Sequence, residues 1–160
     1  MRNAMNYKLI GRIIGFILII EALFLMPAWL ISHAYHEANA AFSILKSQII
    51  ILLAAALLVL VTRDAKHNYY AKEGLVTTGF AWIAMSLFGA LPFYISKEIP
   101  SYVDCVFEVA SGFTTTGSSI LSNVEAMSHG LLYWRSFTHW VGGMGVLVFL
   151  LMIVPLSGKN

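Results

Sequence analysis

The chain has 160 residues, of which 59% are hydrophobic and only 11% are charged. Soluble domains contain about 45–50% apolar and about 25% charged residues, so this composition excludes a water-soluble globule. The formal net charge is +2, without a basic stripe interleaved with aromatic residues, so nucleic acid is not an expected partner. The single cysteine, Cys105, excludes an intrachain disulfide and a CxxC metal site.

The N-terminal half contains two apolar stretches, residues 7–31 and 42–62, and each exceeds the roughly 20 residues that a transmembrane helix needs. The first has the basic flank of a signal peptide. However, its apolar part, residues 13–31, is longer than the roughly 7–15 residues of a signal sequence. We therefore expect a retained helix. Glu21 lies inside it, either as a functional intramembrane acid or as a protonated or helix-bonded carboxyl group.

Two further spans are predicted, residues 74–95 and 131–156, and the charges set their orientation. The N-terminal segment and a polar linker, residues 63–73, together hold six of the ten basic residues: Arg2, Lys8, Arg12, Arg63, Lys66 and Lys72. Cytoplasmic loops carry the excess of lysine and arginine in membrane proteins. This predicts four crossings with both ends of the chain in the cytoplasm.

The segment between the third and fourth spans is predicted to lie on the outer side and to dip into the membrane. Residues 104–113 are too apolar for a free loop and too few to cross, which indicates a short helix, with Asp104 as its expected cap. A threonine- and glycine-rich stretch follows it. Non-helical backbone at membrane depth is tolerated only inside protein or along water, so we expect this stretch to line a pore.

Thr115, Thr116 and Gly117 carry the predicted chemistry of this stretch. Stacked carbonyl oxygens and threonine hydroxyls can replace the water that a potassium ion loses in a narrow filter. Gly117 supplies the unusual backbone conformation that such stacking requires. The negative C-terminal end of the short helix would also favour a cation.

Several neighbouring residues have more than one interpretation. Asp104 and Glu108 could both concentrate cations at the mouth, as alternatives to capping the short helix for Asp104 and to holding the loop by accepting backbone donors for Glu108. Arg135 pairs with Glu108 or Glu125, or reaches the lipid headgroups. A single histidine, His139, without a second ligand does not indicate a metal site.

Glycines near the last span, Gly142, Gly143 and Gly145, form either a flexible gate or a close helix contact. A second Thr-Thr-Gly, at residues 77–79, lacks a preceding short helix. We interpret it as ordinary helix with small packing residues.

Two motifs resemble the TrkH branch of the Trk/Ktr/HKT potassium transporter superfamily. They are Phe107-Glu108-x-x-Ser111-Gly112-Phe113-Thr114-Thr115-Thr116-Gly117 and Trp134-Arg135-Ser136-x-x-x-Trp140-x-Gly142-Gly143-Met144-Gly145. Lys72-Glu73-Gly74, at the start of the third span, is similar as well. The likeness extends from about residue 7 to the C-terminus.

The resemblance implies a helix pair followed by four helix–pore-loop–helix repeats, of which this sequence contains the pair and one repeat. We therefore expect an N-terminal fragment or a truncated product. The resemblance assigns the ion-binding filter to Thr115, Thr116, Gly117 and Ser118. Glu108 and Arg135, judged from their own positions in the sequence, are the expected supports of that filter. The resemblance also implies a multi-pass protein of the bacterial inner membrane, a homodimer and a cytoplasmic nucleotide-binding regulatory subunit.

The sequence thus predicts an all-α integral membrane protein with four transmembrane helices, a short re-entrant pore helix and an extended filter loop. Its expected parts are residues 1–73, the helix pair with its linker, and residues 74–160, the first repeat. The predicted function is potassium transport, passive or coupled, with lipid and further repeats as partners and no prosthetic cofactor. The alternative is a non-conducting membrane scaffold or accessory subunit. An intramembrane enzyme using Glu21 or His139 lacks any motif for a nucleophile and its base.

Overall fold

The described part of the chain, residues 6–64 and 71–157 of the computed structural model, forms seven α-helices and no strand. The helices are α1 Tyr7–Phe24, α2 Met26–Ala34, α3 Ala38–Val61, α4 Ala71–Gly89, α5 Leu91–Ser96, α6 Tyr102–Phe113 and α7 His129–Ser157, with a 3-10 turn at Val124–Ala126. The predicted all-helical class is confirmed. Of the predicted linker, residues 63–73, residues 65–70 lie outside this description.

Three helical stretches among these residues are both long and apolar enough to cross a membrane: Tyr7–Ala34, Ala38–Val61 and Glu73–Ser96. The fourth predicted crossing corresponds to α7, whose 29 residues exceed the roughly 20 that a span requires. Each of the four predicted stretches is therefore helical, with ends that differ from the predicted ones by a few residues.

Proline follows a one-residue break in the helices of the first and third spans, each of which the sequence predicted to be a single helix. Pro27 lies in the first turn of α2 and Pro92 in the first turn of α5. Proline has no N–H and its ring displaces the carbonyl four residues earlier, so a helix bends at this point. The preceding residues, Leu25 and Ala90, keep right-handed helical backbone. Both spans therefore keep a continuous helical path through the proline.

The short helix α6 begins two residues before its predicted start, and its cap differs from the expected one. Ser101 is the N-cap residue, and its hydroxyl accepts a hydrogen bond from the Asp104 N–H at 3.4 Å. The prediction that Asp104 caps the helix is therefore wrong. Asp104 lies in the first turn, where its charge still complements the positive end of the helix.

One hydrophobic core joins the N-terminal helices to the later ones. α1 packs against α3 and α4, α3 against α5, and α2 against α7, while α6 lies between α4 and α7. Phe93, Phe113 and Trp134 are fully buried at the centre of this core. The Trp134 indole Nε1 donates to the Gly89 carbonyl at 2.9 Å, which satisfies its polar atom. This core fixes the C-terminal end of α6, where the predicted filter begins.

Candidate functional site

Two residues of the loop that follows α6 have positive φ. Thr115 has φ +56° and Gly117 has φ +76°. Glycine adopts this conformation without strain, as the sequence predicted for Gly117. A threonine rarely does so. The conformation of Thr115 carried no sequence signal and was not anticipated.

The N–H groups of the loop are used by the end of α6. The Thr115 N–H donates to the Gly112 carbonyl at 2.9 Å, and the N–H groups of Thr116 and Gly117 donate to the Ser111 carbonyl at 2.9 and 3.4 Å. The exposed hydroxyls of Thr114 and Thr116 lie 2.8 Å apart. The backbone of residues 114–119, hereafter the filter segment after its predicted role, is thus folded over the C-terminal end of α6.

The carbonyl oxygens of the filter segment differ in whether they have partners. Those of Thr115, Thr116 and Gly117 accept no hydrogen bond from any residue that the structure describes. The Ser118 carbonyl accepts one from the Ser111 hydroxyl at 2.6 Å. Exposed oxygens without donors are the groups that can replace the water of a cation.

Glu108 anchors the far end of the filter segment. Its carboxylate accepts from the Ser119 hydroxyl at 2.9 Å and from the Ile120 N–H at 3.1 Å. Its side chain is 0% exposed. Of the two interpretations offered for Glu108, the contacts are therefore those of a residue that holds the loop.

Arg135 pairs with this same carboxylate, which is one of the alternatives that the sequence left open. Its Nε lies 2.6 Å from Glu108 Oε1, and its side chain is 15% exposed. The pair brings together α6, α7 and the end of the filter segment. Sequence reasoning proposed the pair, but it did not identify Ser111 or Ser119 as partners of the segment.

Glycines let α7 pass against the end of α6. A Cβ on Gly142 would overlap the Phe113 carbonyl, and a Cβ on Gly112 would overlap the Thr138 hydroxyl. A Cβ on Gly143 would make only an ordinary contact, at 3.9 Å from the Thr115 methyl group. Of the two interpretations of the glycine cluster, Gly142 has the geometry of close packing.

The remaining candidates make no hydrogen bond to the filter segment among the described residues. Residues 77–79, the second Thr-Thr-Gly, are helical within α4, as predicted. His139 Nδ1 lies 3.0 Å from the Arg135 carbonyl. Across residues 6–64 and 71–157, no group of three metal-ligating side chains occurs. Glu21 is 1% exposed, and neither of its oxygens has a hydrogen-bond partner in the described structure.

Comparison with known proteins gives a consistent set of relatives. An uncharacterized cation transporter of Methanocaldococcus jannaschii is 34% identical over 91% of this chain and 30% of its own length. The Trk system potassium uptake protein TrkH of Escherichia coli K12 is 31% identical over 96% of this chain and 32% of its own. The chain thus spans about a third of the length of these relatives.

A solved structure matches as well. The crystal structure of the potassium transporter TrkH from Vibrio parahaemolyticus superposes with a TM-score of 0.86 at 27% identity, over 94% of this chain and 32% of that one. The model of the TrkH family, described as cation transport proteins, matches residues 40–160. The chain is therefore a membrane protein that belongs to the TrkH family of cation transport proteins.

Proposed function

We propose that this chain contributes one pore loop to a pathway that carries potassium across the membrane. Its ion-binding groups are the oxygens of Thr115, Thr116, Gly117 and Ser118. The observation that carries this proposal is that residues 115–117 are exposed and that their carbonyls lack a donor among the described residues. Relatives that cover most of this chain are named potassium uptake proteins, which supports potassium as the ion.

Glu108 and Arg135 support the filter in this proposal. Their ion pair has an Nε–Oε1 distance of 2.6 Å, and the same carboxylate receives two donors from residues 119 and 120. A buried ion pair with further hydrogen bonds holds its partners in one geometry. The pair thereby keeps the outer end of the filter segment at a fixed distance from α6.

The proposed arrangement in the membrane has two parts. Residues 1–73 form a helix pair and linker, and residues 74–160 form a helix–pore-loop–helix repeat. Both ends of the chain face the cytoplasm of a bacterial inner membrane, because basic residues cluster there. Further repeats, a second copy of the protein and a cytoplasmic nucleotide-binding subunit complete the assembly, with no prosthetic group.

The two Thr-Thr-Gly motifs provide a matched test. In cells without their own potassium uptake systems, the protein is produced from its complete gene as wild type, as Gly117→Ala and as Gly79→Ala. Alanine at φ +76° costs about 1–2 kcal/mol, whereas a Cβ at Gly79 meets open space within a helix. We expect potassium uptake to fall about tenfold or more in Gly117→Ala and to persist in Gly79→Ala.

Wild-type protein that reaches the membrane but restores no potassium uptake would contradict this proposal. So would equal uptake by the two glycine variants. Either result would favour the alternative of a membrane scaffold.

A further inference from the structure

Ser111 makes contacts that are unusual for a serine in a helix. Its carbonyl receives the N–H groups of Thr116 and Gly117, and its hydroxyl donates to the Ser118 carbonyl at 2.6 Å. The residue is 5% exposed and lies in the last turn of α6. One buried residue therefore contacts three consecutive residues of the filter segment.

The usual partner of a helical serine hydroxyl is a carbonyl of its own helix. Several serines of this chain follow that rule: Ser86 donates to the Trp82 carbonyl at 2.8 Å, and Ser47 donates to the Ser43 carbonyl at 2.8 Å. Ser111 instead donates to a residue seven positions ahead, outside the helix. The Ser111 hydroxyl thus bonds the filter segment and not the carbonyls of its own helix.

This contact divides the four carbonyls of the proposed filter into two kinds. The oxygens of residues 115, 116 and 117 have no donor among the described residues, whereas that of Ser118 already accepts a short hydrogen bond. A carbonyl oxygen that already accepts from a hydroxyl has one of its two lone pairs occupied, and the partly positive hydroxyl hydrogen beside it opposes the approach of a cation. The number and field strength of the carbonyls are among the factors held to determine which ion a filter selects.

We propose that Ser111 is a specificity-determining positioning residue. Its hydroxyl holds the Ser118 carbonyl in a hydrogen bond, so that the oxygens of Thr115, Thr116 and Gly117 select the cation. This inference rests on the proposed function. It refines that function, because it makes the Ser118 carbonyl a weaker ligand than the other three.

The test compares Ser111→Ala with Ser86→Ala, in which an equivalent hydroxyl is removed from a bond within its own helix. Potassium and sodium uptake are both measured in cells without their own potassium uptake systems, at equal amounts of protein in the membrane. We expect the ratio of potassium to sodium uptake to fall roughly three- to tenfold in Ser111→Ala. This is the change in an equilibrium that the loss of one net hydrogen bond produces. Ser86→Ala is expected to keep the wild-type ratio.

A second pair of variants separates the hydroxyl from side-chain shape. Ser111→Thr and Ser111→Val have nearly the same shape, but only threonine retains the donor. We expect the threonine variant to keep the ratio and the valine variant to lose it, and this pair decides the result if the alanine variant accumulates poorly.

The outcomes distinguish this inference from the proposed function. Potassium uptake by the wild type with an unchanged ratio in Ser111→Ala, or equal ratios in the threonine and valine variants, would overturn the inference alone. A wild type without potassium uptake would overturn both.

Discussion

Glu108 illustrates how a single side chain organises the candidate site. Its carboxylate is fully buried, yet it accepts from Arg135, from the Ser119 hydroxyl and from the Ile120 N–H. A buried charge is tolerated when it is paired and hydrogen-bonded in this way. The loss of Arg135 would therefore leave a buried carboxylate without its opposite charge.

The Glu108–Arg135 pair is expected to be strongly coupled. Arg135→Gln leaves the Glu108 charge unpaired, so we expect it to lower the free energy of unfolding by about 3–5 kcal/mol. Glu108→Gln is expected to be destabilising too, and the double variant to lose less than the sum of the two single changes. Thermal unfolding of the purified protein in detergent, arranged as a double-mutant cycle, measures this coupling. Additive losses would contradict it.

Glu21 presents the opposite case, a buried carboxyl group without a described partner. Its Oε1 lies where a Cβ on Gly89 would approach to 2.7 Å, and Val109 is the next neighbour at that point. Burying a polar group without a hydrogen bond costs about 1–3 kcal/mol in proteins. The side chain therefore opposes the packing of α1 against α4 and α6.

We expect Glu21→Met, which has similar length and no polar atom, to raise the free energy of unfolding by about 1–3 kcal/mol. The measurement is the thermal unfolding midpoint of the variant beside that of Ile20→Met, a change at an exposed apolar neighbour in the same helix. A lower midpoint for Glu21→Met would indicate that the carboxyl group has a stabilising partner in the assembled protein.

At the scale of elements, the contact between α6 and α7 determines where the filter segment begins. Gly112 on α6 and Gly142 on α7 both lie where a Cβ would overlap the other helix. Small residues allow helix backbones to approach closely within membranes. The backbone of α7 at Gly142 consequently packs directly against the Phe113 carbonyl of α6, one residue before the filter segment.

Gly142→Ala is expected to displace the Phe113 carbonyl and, with it, the start of the filter segment. The neighbouring Gly143→Ala is a matched control, because its Cβ would make an ordinary contact at 3.9 Å. We expect Gly142→Ala to lose about 1–3 kcal/mol of stability, the usual cost of overpacking, and most of its potassium uptake. Gly143→Ala is expected to change neither by much. Similar behaviour of the two variants would exclude close packing as the role of Gly142.

The elements were predictable because long apolar runs leave the chain few alternatives in a bilayer. The short helix before Thr114 was likewise evident from its length and polarity. The partners of individual residues were not, because a hydroxyl such as that of Ser111 has many carbonyls within reach and tertiary packing selects one. The positive φ of Thr115 belongs to the same class, since no residue type signals it. The cap of α6 was misassigned because serine and aspartate are both good caps and lie three residues apart.

At the scale of the whole molecule, one carboxylate joins the N-terminal helices to the last span. Glu37, between α2 and α3, accepts from the His129 N–H at 2.8 Å and from the Gly130 N–H at 3.3 Å, at the start of α7. Its Oε1 also lies 2.8 Å from His129 Nδ1, and the Tyr35 ring stacks on that imidazole at 4.0 Å. An anion at a helix N-terminus satisfies free N–H groups and complements the helix dipole.

This contact gives the fold an expected dependence on pH. Burial, the largest single contribution, raises the pKa of Glu37, but the hydrogen bonds from His129 and Gly130 and the charge of His129 together lower the pKa below its ordinary value. A carboxyl group whose pKa is lower in the folded state stabilises the fold above its unfolded pKa. That stabilisation is lost as the pH falls through the folded pKa, because the proton removes the charge that caps α7.

We therefore expect the thermal unfolding midpoint of the wild type to fall on acidification more steeply than that of Glu37→Gln, whose amide has no charge to lose. Glu125→Gln, at an exposed glutamate in the 3-10 turn before α7, serves as the matched control and is expected to follow the wild type. Parallel curves for the wild type and Glu37→Gln would contradict the role assigned to Glu37. α7 also carries Arg135, which pairs with Glu108 at the end of the filter segment. Loss of the Glu37 contact at the first turn of α7 is therefore expected to disturb the filter segment, and potassium uptake should decline over the same acidic range.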